Sequence, residues 1–496
     1  MDAIWTLGSD VAAGVFPTLQ EDREVDVAVI GAGITGMSTA LQLAEAGRNV
    51  LVLESHSVGY GVTGGSTGNL YSPLASGLAS IRSKWDSTAV ADVVTSRAEA
   101  VDRIEAWVQQ YGIECDFRRT PLYRVVPSAD EANHSLDDER DAMAAAGLTV
   151  TDADDLELPF ETRGLKVENQ AQFNPLHYLQ GLAQAASRAG VAIHEHSPVR
   201  EVDDKHGVIV TDTARITAQH IVHATHTPKG ISMLQGGMLT SREYAVSARL
   251  SQGHYPEGIL WVLDPFHSLR SYRHGGEQYL MAIGEKHKTG EHQGDHYQKM
   301  REYLERHFDV ASFTHEWSAQ QYTSPDGLPY IGRMHGRDNV YLATGFAADG
   351  LVWGTLAGSI LSDLIQERDN PWHARYDARR ITPGKSASQY AKENATVAKH
   401  MFKDYLGTDK LKTFDDVAPG EARVATVDGE KLAVRRDEAG ELKVLSAVCP
   451  HMKCIVHWNA AETTWDCPCH GSRFDANGEV IEGPAYEMLA RRTPGT

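Results

Sequence analysis

The chain has 496 residues, 42% of them hydrophobic and 23% charged, a globular composition whose length suits about three domains. A net charge of −20 argues against a nucleic-acid or anionic-membrane partner, because phosphate repels an acidic surface. No run of roughly 18 apolar residues reads as a bilayer-spanning helix, and five cysteines in so long a chain do not form a secreted disulfide scaffold. The opening MDAIWTLGSDV lacks a basic n-region, an apolar core and a twin-arginine pair, so a cytoplasmic protein is expected.

The first motif is VDVAVI (Val25–Ile30) followed by GAGITG, with Gly31, Gly33 and Gly36 in GxGxxG spacing. MSTALQLAEAG continues as a helix that ends at Gly47, and a second strand, Asn49–Leu53, ends at the acid Glu54. Strand, glycine turn, helix, strand and acid in this order predict a dinucleotide site. Gly31 allows the tight turn, Gly33 lets the pyrophosphate approach, and Gly36 lets helix and strand pack. The helix start at Ile34 and Thr35 offers free N–H groups to the phosphates. Glu54 accepts hydrogen bonds from the adenosine ribose.

FAD and NAD both use this fingerprint. The next loop, GYGVTGGSTGNL (Gly59–Leu70), is glycine-rich again and resembles the flavin-contacting loop of the D-amino-acid oxidase and glycine oxidase family. On that resemblance Gly64, Ser66 and Thr67 touch FAD. FNPLHYLQGLAQAASRAGVAIHEHSPV (Phe173–Val199) is similar to the family's helix-then-strand segment, which implies that Val199 lies at the adenine. IVHATHTP (Ile221–Pro228) resembles a later strand. PDGLPYIGRMHGRDNVYLATGFAADGLVWGTLAGSILSDLI (Pro325–Ile365) resembles the closing motif, bringing Gly345, Gly350 and Leu351 to the flavin. The expected helix there starts near Thr355 and aims its positive end at the flavin pyrimidine edge.

The implied architecture is an α/β FAD-binding, Rossmann-like domain with an inserted α+β substrate domain. The expected boundaries are 24–95, 161–235 and 321–370 for the first and 96–160 and 236–320 for the second. Residues 371–411 read as a linker, with Ser388–Leu406 helical, and 412–496 as a separate C-terminal domain. The substrate is expected over the flavin, between the two domains.

That C-terminal domain holds CPHMKCIVHWNAAETTWDCPCHGS (Cys449–Ser472), which contains four of the five cysteines. A Cys/His cluster of this kind can hold zinc or an iron–sulfur centre. Two Cys plus two His suit a Rieske [2Fe–2S] cluster, in which histidines replace thiolates on one iron; a Cys₂His₂ zinc site leaves two local cysteines unused. The segment resembles the Rieske ferredoxin domain. The resemblance implies that Cys449 and Cys467 bind one iron, His451 and His470 bind the other, and Cys454 and Cys469 form a disulfide. Lys453 stands where that family commonly has glycine, and Phe474 where high-potential members have a tyrosine donor. His457 fits neither box and reads as an ordinary histidine. His220, His223 and His226 read as strand residues rather than a metal site, and His287, His292 and His296 as a polar loop. Only about two dozen residues follow Ser472, too few for the catalytic iron domain of a Rieske oxygenase.

Flavin chemistry moves electron pairs, and a [2Fe–2S] cluster moves one electron. Together with the resemblance, this gives an all-β Rieske domain attached to an FAD-dependent enzyme that oxidises a C–N bond of an amine or amino acid. Electrons then pass to an external acceptor, which favours a dehydrogenase over an oxidase. The alternative is an electron-transfer flavo-iron–sulfur protein relaying electrons from a reductant such as NAD(P)H. For the substrate pocket the candidates are Gln321, standing where amino-acid-oxidising relatives often have a carboxylate-binding arginine, and Arg270 and Tyr272 as its substitutes.

Overall fold

A computed structural model describes residues 3–7, 16–127, 134–230, 232–291, 294–407, 411 and 414–493. His292 lies outside these residues.

Strand Arg23–Ile30 sits centrally in an eight-stranded sheet, flanked in parallel by Val50–Leu53 and Arg215–His223. Its alternation is read on both faces. Val27 and Val29 join the large core beneath the helices, while Ala28 and Ile30 pack into a second core with Leu51, Leu53 and Ile209. Helix Ile34–Glu45 leaves the first strand through the glycine turn, and Gly47 follows it in a left-handed conformation at φ +81°.

The closing helix runs Gly350–Ile365 and starts earlier than the expected Thr355. Its glycines serve helix packing. A Cβ on Gly354 would lie 2.5 Å from Ile34 Cγ2, and one on Gly358 would lie 2.6 Å from Ser38 Cβ. The two helices that carry the flavin motifs are thereby locked side by side.

A nine-stranded sheet forms the second layer, with Leu239–Leu250 between Val310–Thr323 and Glu277–Lys288. Strand Thr162–Gln172 belongs to this sheet, and Val310–Thr323 runs past residue 321. The first lies just beyond the boundary expected at 161 yet pairs into this sheet, and the second crosses the boundary expected at 321, because strand pairing rather than motif position decides membership. Helix Ser87–Tyr111 likewise spans residue 96, and it ends at Gly112, which is left-handed at φ 63°.

The C-terminal part consists of a three-stranded and a four-stranded antiparallel sheet. Between it and the rest runs helix Pro383–Gly407, longer at its start than the expected Ser388–Leu406. Among the described residues no helix is long and apolar enough to cross a membrane.

Candidate cofactor and substrate site

A cavity of about 310 Å³ runs between the sheets and reaches the C-terminal domain. One end is walled by Gly31, Gly33, Ile34, Thr35 and Glu54 from the first motif. Gly31 has φ +104°, and a Cβ there would lie 2.6 Å from the Ala224 carbonyl oxygen. Gly36 stands behind the turn, where a Cβ would lie 1.9 Å from the Gly31 oxygen. Gly33 has no side chain to cap the helix; the Thr63 hydroxyl accepts from Ile34 N at 3.1 Å, and Thr35, next in the first turn, lines the cavity. The Glu54 carboxylate accepts from Ala32 N at 2.9 Å and His56 N at 2.9 Å, which fixes it at the cavity edge.

Ser66, Thr67 and Val199 also line the cavity, as do Gly350 and Leu351 at the start of the closing helix. That helix too lacks a side-chain cap at Asp349. Gly64 and Gly345 lie behind the wall, where they let loops approach. A Cβ on Gly64 would lie 2.3 Å from the Gly59 oxygen, and Gly345 has φ +80°. Two helix N-termini without a side-chain cap from their own N-cap residue, a glycine cradle and an acid at one cavity suit a long anionic dinucleotide.

Of the substrate-pocket candidates, Gln321 lines the cavity but Arg270 and Tyr272 do not. Arg270 lies fully buried behind the flavin loop. It donates to the Thr67 carbonyl at 2.6 Å and stacks over Trp5 at 4.8 Å. Tyr272 packs against Trp5 and accepts from Asn174 Nδ2 at 3.2 Å. These residues hold the loop rather than face a ligand. Trp5 donates to the Ser66 carbonyl at 2.8 Å and Trp317 to the Gly65 carbonyl at 2.9 Å, so the same loop is held from two further sides. Trp5 sits in a three-residue turn with no periodicity to mark it.

In the C-terminal domain the two Cys/His boxes fold as matching turns. In one, Cys449 N donates to Cys454 O at 2.8 Å and Lys453 N to Cys449 O at 3.0 Å; in the other, Cys467 N donates to Ser472 O at 2.8 Å and Gly471 N to Cys467 O at 3.1 Å. Lys453 and Gly471 occupy equivalent left-handed corners, at φ 62° and 77°. The Tyr405 hydroxyl, from the connecting helix, donates to the Lys453 carbonyl at 2.8 Å and supports this strained corner. Cys454 and Cys469 are joined by a disulfide, which clamps one box to the other.

That leaves Cys449, Cys467, His451 and His470 facing one another. The two thiols hydrogen-bond, and this holds the Cys449 thiol below its usual range. The imidazole rings lie 5.0 Å apart. Burial pulls the His470 pKa down to about 4 and lowers that of His451, so both rings are neutral, the form that ligates metal. The Nδ1 atoms of both are buried without a hydrogen-bond partner. Two thiols and two partnerless imidazole nitrogens fit a Rieske centre.

The C-terminal domain docks through buried polar contacts. Gln320 Nε2 donates to Gly471 O at 2.9 Å, and the Tyr322 hydroxyl lies 3.1 Å from Gly483 O and 3.5 Å from His470 O. Tyr322 and Gln320 line the cavity, and so do Val480, Ile481, Glu482, Gly483 and Tyr486 of the C-terminal domain. Arg242, 1% exposed, pairs with Glu462 at 2.8 Å and Glu482 at 3.5 Å, and Arg473 pairs with the same two acids. His457 is a docking residue, bonded to Gly290 O at 2.7 Å and Asp404 at 3.0 Å. His451 Nε2 lies 3.2 Å from Gln235 Oε1. His226 stacks edge-on against Tyr322 in the cavity wall, while His287 and His296 stack on each other at 4.2 Å beside Tyr244.

The geometry defines a flavoprotein joined to a Rieske iron–sulfur domain. The chain belongs to the FAD dependent oxidoreductase (DAO) family, whose model matches residues 26–364, and a Rieske [2Fe-2S] domain model matches 409–492. Bacillus subtilis YhfW, named for a Rieske 2Fe-2S iron–sulfur protein, is 31% identical over 98% of this chain and 97% of its own length. Gamma-glutamylputrescine oxidoreductase of Escherichia coli is 24% identical over 71% of this chain and 86% of its own. Glycine oxidase from Geobacillus kaustophilus superposes with a TM-score of 0.57 at 19% identity, covering 73% of this chain and 100% of that one. The protein is an FAD-dependent oxidoreductase carrying a Rieske cluster domain.

Proposed function

We propose that this protein oxidises a C–N bond of an amine or amino acid and delivers the electrons, one at a time, to an external acceptor. The substrate CH–NH unit loses two electrons and two protons and becomes an imine, which water hydrolyses to a carbonyl compound and an amine. Each turnover reduces two equivalents of a one-electron acceptor. FAD supplies acceptance of an electron pair and the [2Fe–2S] cluster supplies single-electron transfer.

One observation carries this reading: a single cavity extends from the first glycine turn to strand Val480–Glu482 of the Rieske domain. Gly31, Gly33, Ile34 and Thr35 would hold the pyrophosphate, Glu54 the ribose, and Ser66, Thr67, Gly350 and Leu351 the flavin end. Cys449 and Cys467 would hold one iron, and His451 and His470 the other. Tyr322 and Gln320 link the cavity wall to the His470–Gly471 backbone through bonds of 3.5 Å and 2.9 Å, so the two centres share one rigid seam. The apolar side chains of Trp261, Ile283 and Phe346 exclude water from the reacting carbon. No protein acid or base is required, provided that the reacting nitrogen is neutral. Two relatives are named for nitrogen compounds, gamma-glutamylputrescine and glycine, which supports the same chemistry.

The test is anaerobic mixing of the holoenzyme with a panel of amines and amino acids, followed by optical and EPR spectra. A substrate is expected to bleach the flavin and raise a reduced Rieske signal. A bleached flavin beside a persistently oxidised cluster would overturn the electron route.

A further inference from the structure

The nine-stranded sheet turns one face to the cavity, and that face sets what the cavity accepts. Pairing places Trp317, Ala245, Ile283 and Ser268 in one row across four strands. Glu243 lies opposite Ala319 in the next row, and Gln321 lies opposite Ser241 in the row after. Trp317, Ala245, Ile283, Ser268, Glu243 and Gln321 all line the cavity. The polar groups on this face are thus a carboxylate, a hydroxyl and an amide.

Glu243 is 9% exposed, and its nearest cation is Lys286 at 3.9 Å. Lys286 is itself half exposed, does not line the cavity, and already donates to Gln321 Oε1 at 3.1 Å. Gln321 in turn hydrogen-bonds Glu243. It therefore spaces a lysine from a glutamate and is not free to clamp a ligand carboxylate. The second acid at this end, Asp349, differs. Arg97 pairs with it at 3.3 Å, both side chains being buried, so its charge is matched from behind the wall. The cations that do line the cavity, Arg200 and Lys229, belong with Glu54 at the dinucleotide end. Ser268, 5% exposed, has a buried hydroxyl with no hydrogen-bond partner. A buried carboxylate served by one amide and by one half-exposed lysine at the limit of ion-pair distance, and a hydroxyl without a partner, both leave acceptor capacity that a ligand's N–H groups would fill.

We propose that the preferred substrate is a di- or polyamine: one neutral nitrogen is oxidised while a second, cationic nitrogen is held by the Glu243 carboxylate, with Ser268 offering an acceptor elsewhere on the same face. This deepens, and rests on, the reading that the site oxidises a C–N bond. A simple α-amino acid is disfavoured because its carboxylate would meet Glu243 while the lining arginine, Arg200, lies at the dinucleotide end. Burial raises the pKa of Glu243, and a cation bound beside it would lower it again.

The experiment uses the holoenzyme under anaerobic conditions with putrescine, butylamine and alanine as probes. Two readouts are taken: perturbation of the oxidised flavin spectrum, which reports binding, and bleaching, which reports oxidation. Putrescine is expected to half-saturate at a lower concentration than butylamine, and alanine to fail. Glu243→Gln should raise the putrescine concentration by about 30-fold or more, well beyond its effect on butylamine, because a desolvated charge contact is lost. Glu243→Asp should recover part of that loss, with FAD still bound. Alanine acting as readily as putrescine would overturn the proposal, as would an equal effect of Glu243→Gln on both amines or an absence of putrescine binding. Glu243-dependent binding of putrescine without bleaching by any amine would instead uphold the cationic pocket and sink the C–N oxidation reading.

Discussion

The four candidate ligands of the Rieske cluster come from two short turns between Cys449 and His470, whereas the flavin cavity gathers its wall from Gly31 near one end of the chain to Tyr486 near the other. The first site depends on side chains of rare types in a fixed local spacing. The second depends mostly on backbone: glycines that admit a phosphate, and helix starts that open onto the cavity. A side-chain site should fail outright when one ligand is changed. A backbone site should weaken in steps.

Changing Cys449→Ser is the sharpest way to test that contrast. The cluster should be lost completely, so the reduced protein shows no Rieske EPR signal, while the flavin absorbance remains, since Cys449 contributes nothing to the cavity wall. Loss of both cofactors together would show that the two sites are one folding unit.

The seam between them should come next in size. Arg242→Leu leaves Glu462 and Glu482 facing each other with only Arg473 between them. Breaking a buried pair of this kind costs about 3–5 kcal/mol. Thermal unfolding of the holoenzyme should show a matching drop, with slower reduction of the cluster by the bleached flavin. A stability loss with unchanged transfer between the centres would mean that the seam holds the domains together without setting the electron path.

This seam is also where the sequence was least legible. The Cys/His boxes, the GxGxxG turn and the closing motif are local patterns, and each has a spacing that chemistry dictates. Even Lys453, an oddity in its box, had a visible counterpart in Gly471. Nothing local marks Arg242, Tyr322 or Glu482, because their partners lie far along the chain and meet only when the two parts dock. His457 looked ordinary for the same reason. Arg270 and Tyr272 looked like pocket residues because cationic and aromatic side chains are common in pockets. On their strand, Ser268, Arg270 and Tyr272 share one face, but only Ser268 reaches the cavity, while Arg270, two residues farther along, lies under the loop and donates to the Thr67 carbonyl. Glu243 lay inside the stretch EYAVSARLS, whose period of two was readable, but which face met the cavity was not.

In the backbone site, Gly31→Ala should have a graded effect. The added methyl meets the Ala224 oxygen at 2.6 Å in a left-handed conformation, so the turn must shift. Strain of about 1–3 kcal/mol is expected, which weakens FAD binding by roughly 5- to 150-fold. Reconstitution of the apoprotein with FAD measures it. Complete loss of FAD at every concentration would place this turn with the all-or-none sites instead.

The smallest effect is expected at Ser472, where the two kinds of site meet in one residue. Its hydroxyl oxygen accepts from Ala485 N at 3.1 Å, which turns its own hydrogen away from that amide and toward the Cys449 sulfur, with which it hydrogen-bonds. A donor to sulfur stabilises the reduced cluster, because reduction adds negative charge there. Phe474 has no hydroxyl to share that role. Ser472→Ala therefore removes one neutral hydrogen bond of about 1 kcal/mol, or ~40 mV for a one-electron couple, and the potential should fall by that amount. A redox titration followed by EPR gives the value, and the signal shape should persist because all four ligands remain. An unchanged potential would mean that the hydroxyl serves only to hold the Ala485 amide. The turn would then be set by backbone bonding alone, as the flavin site is.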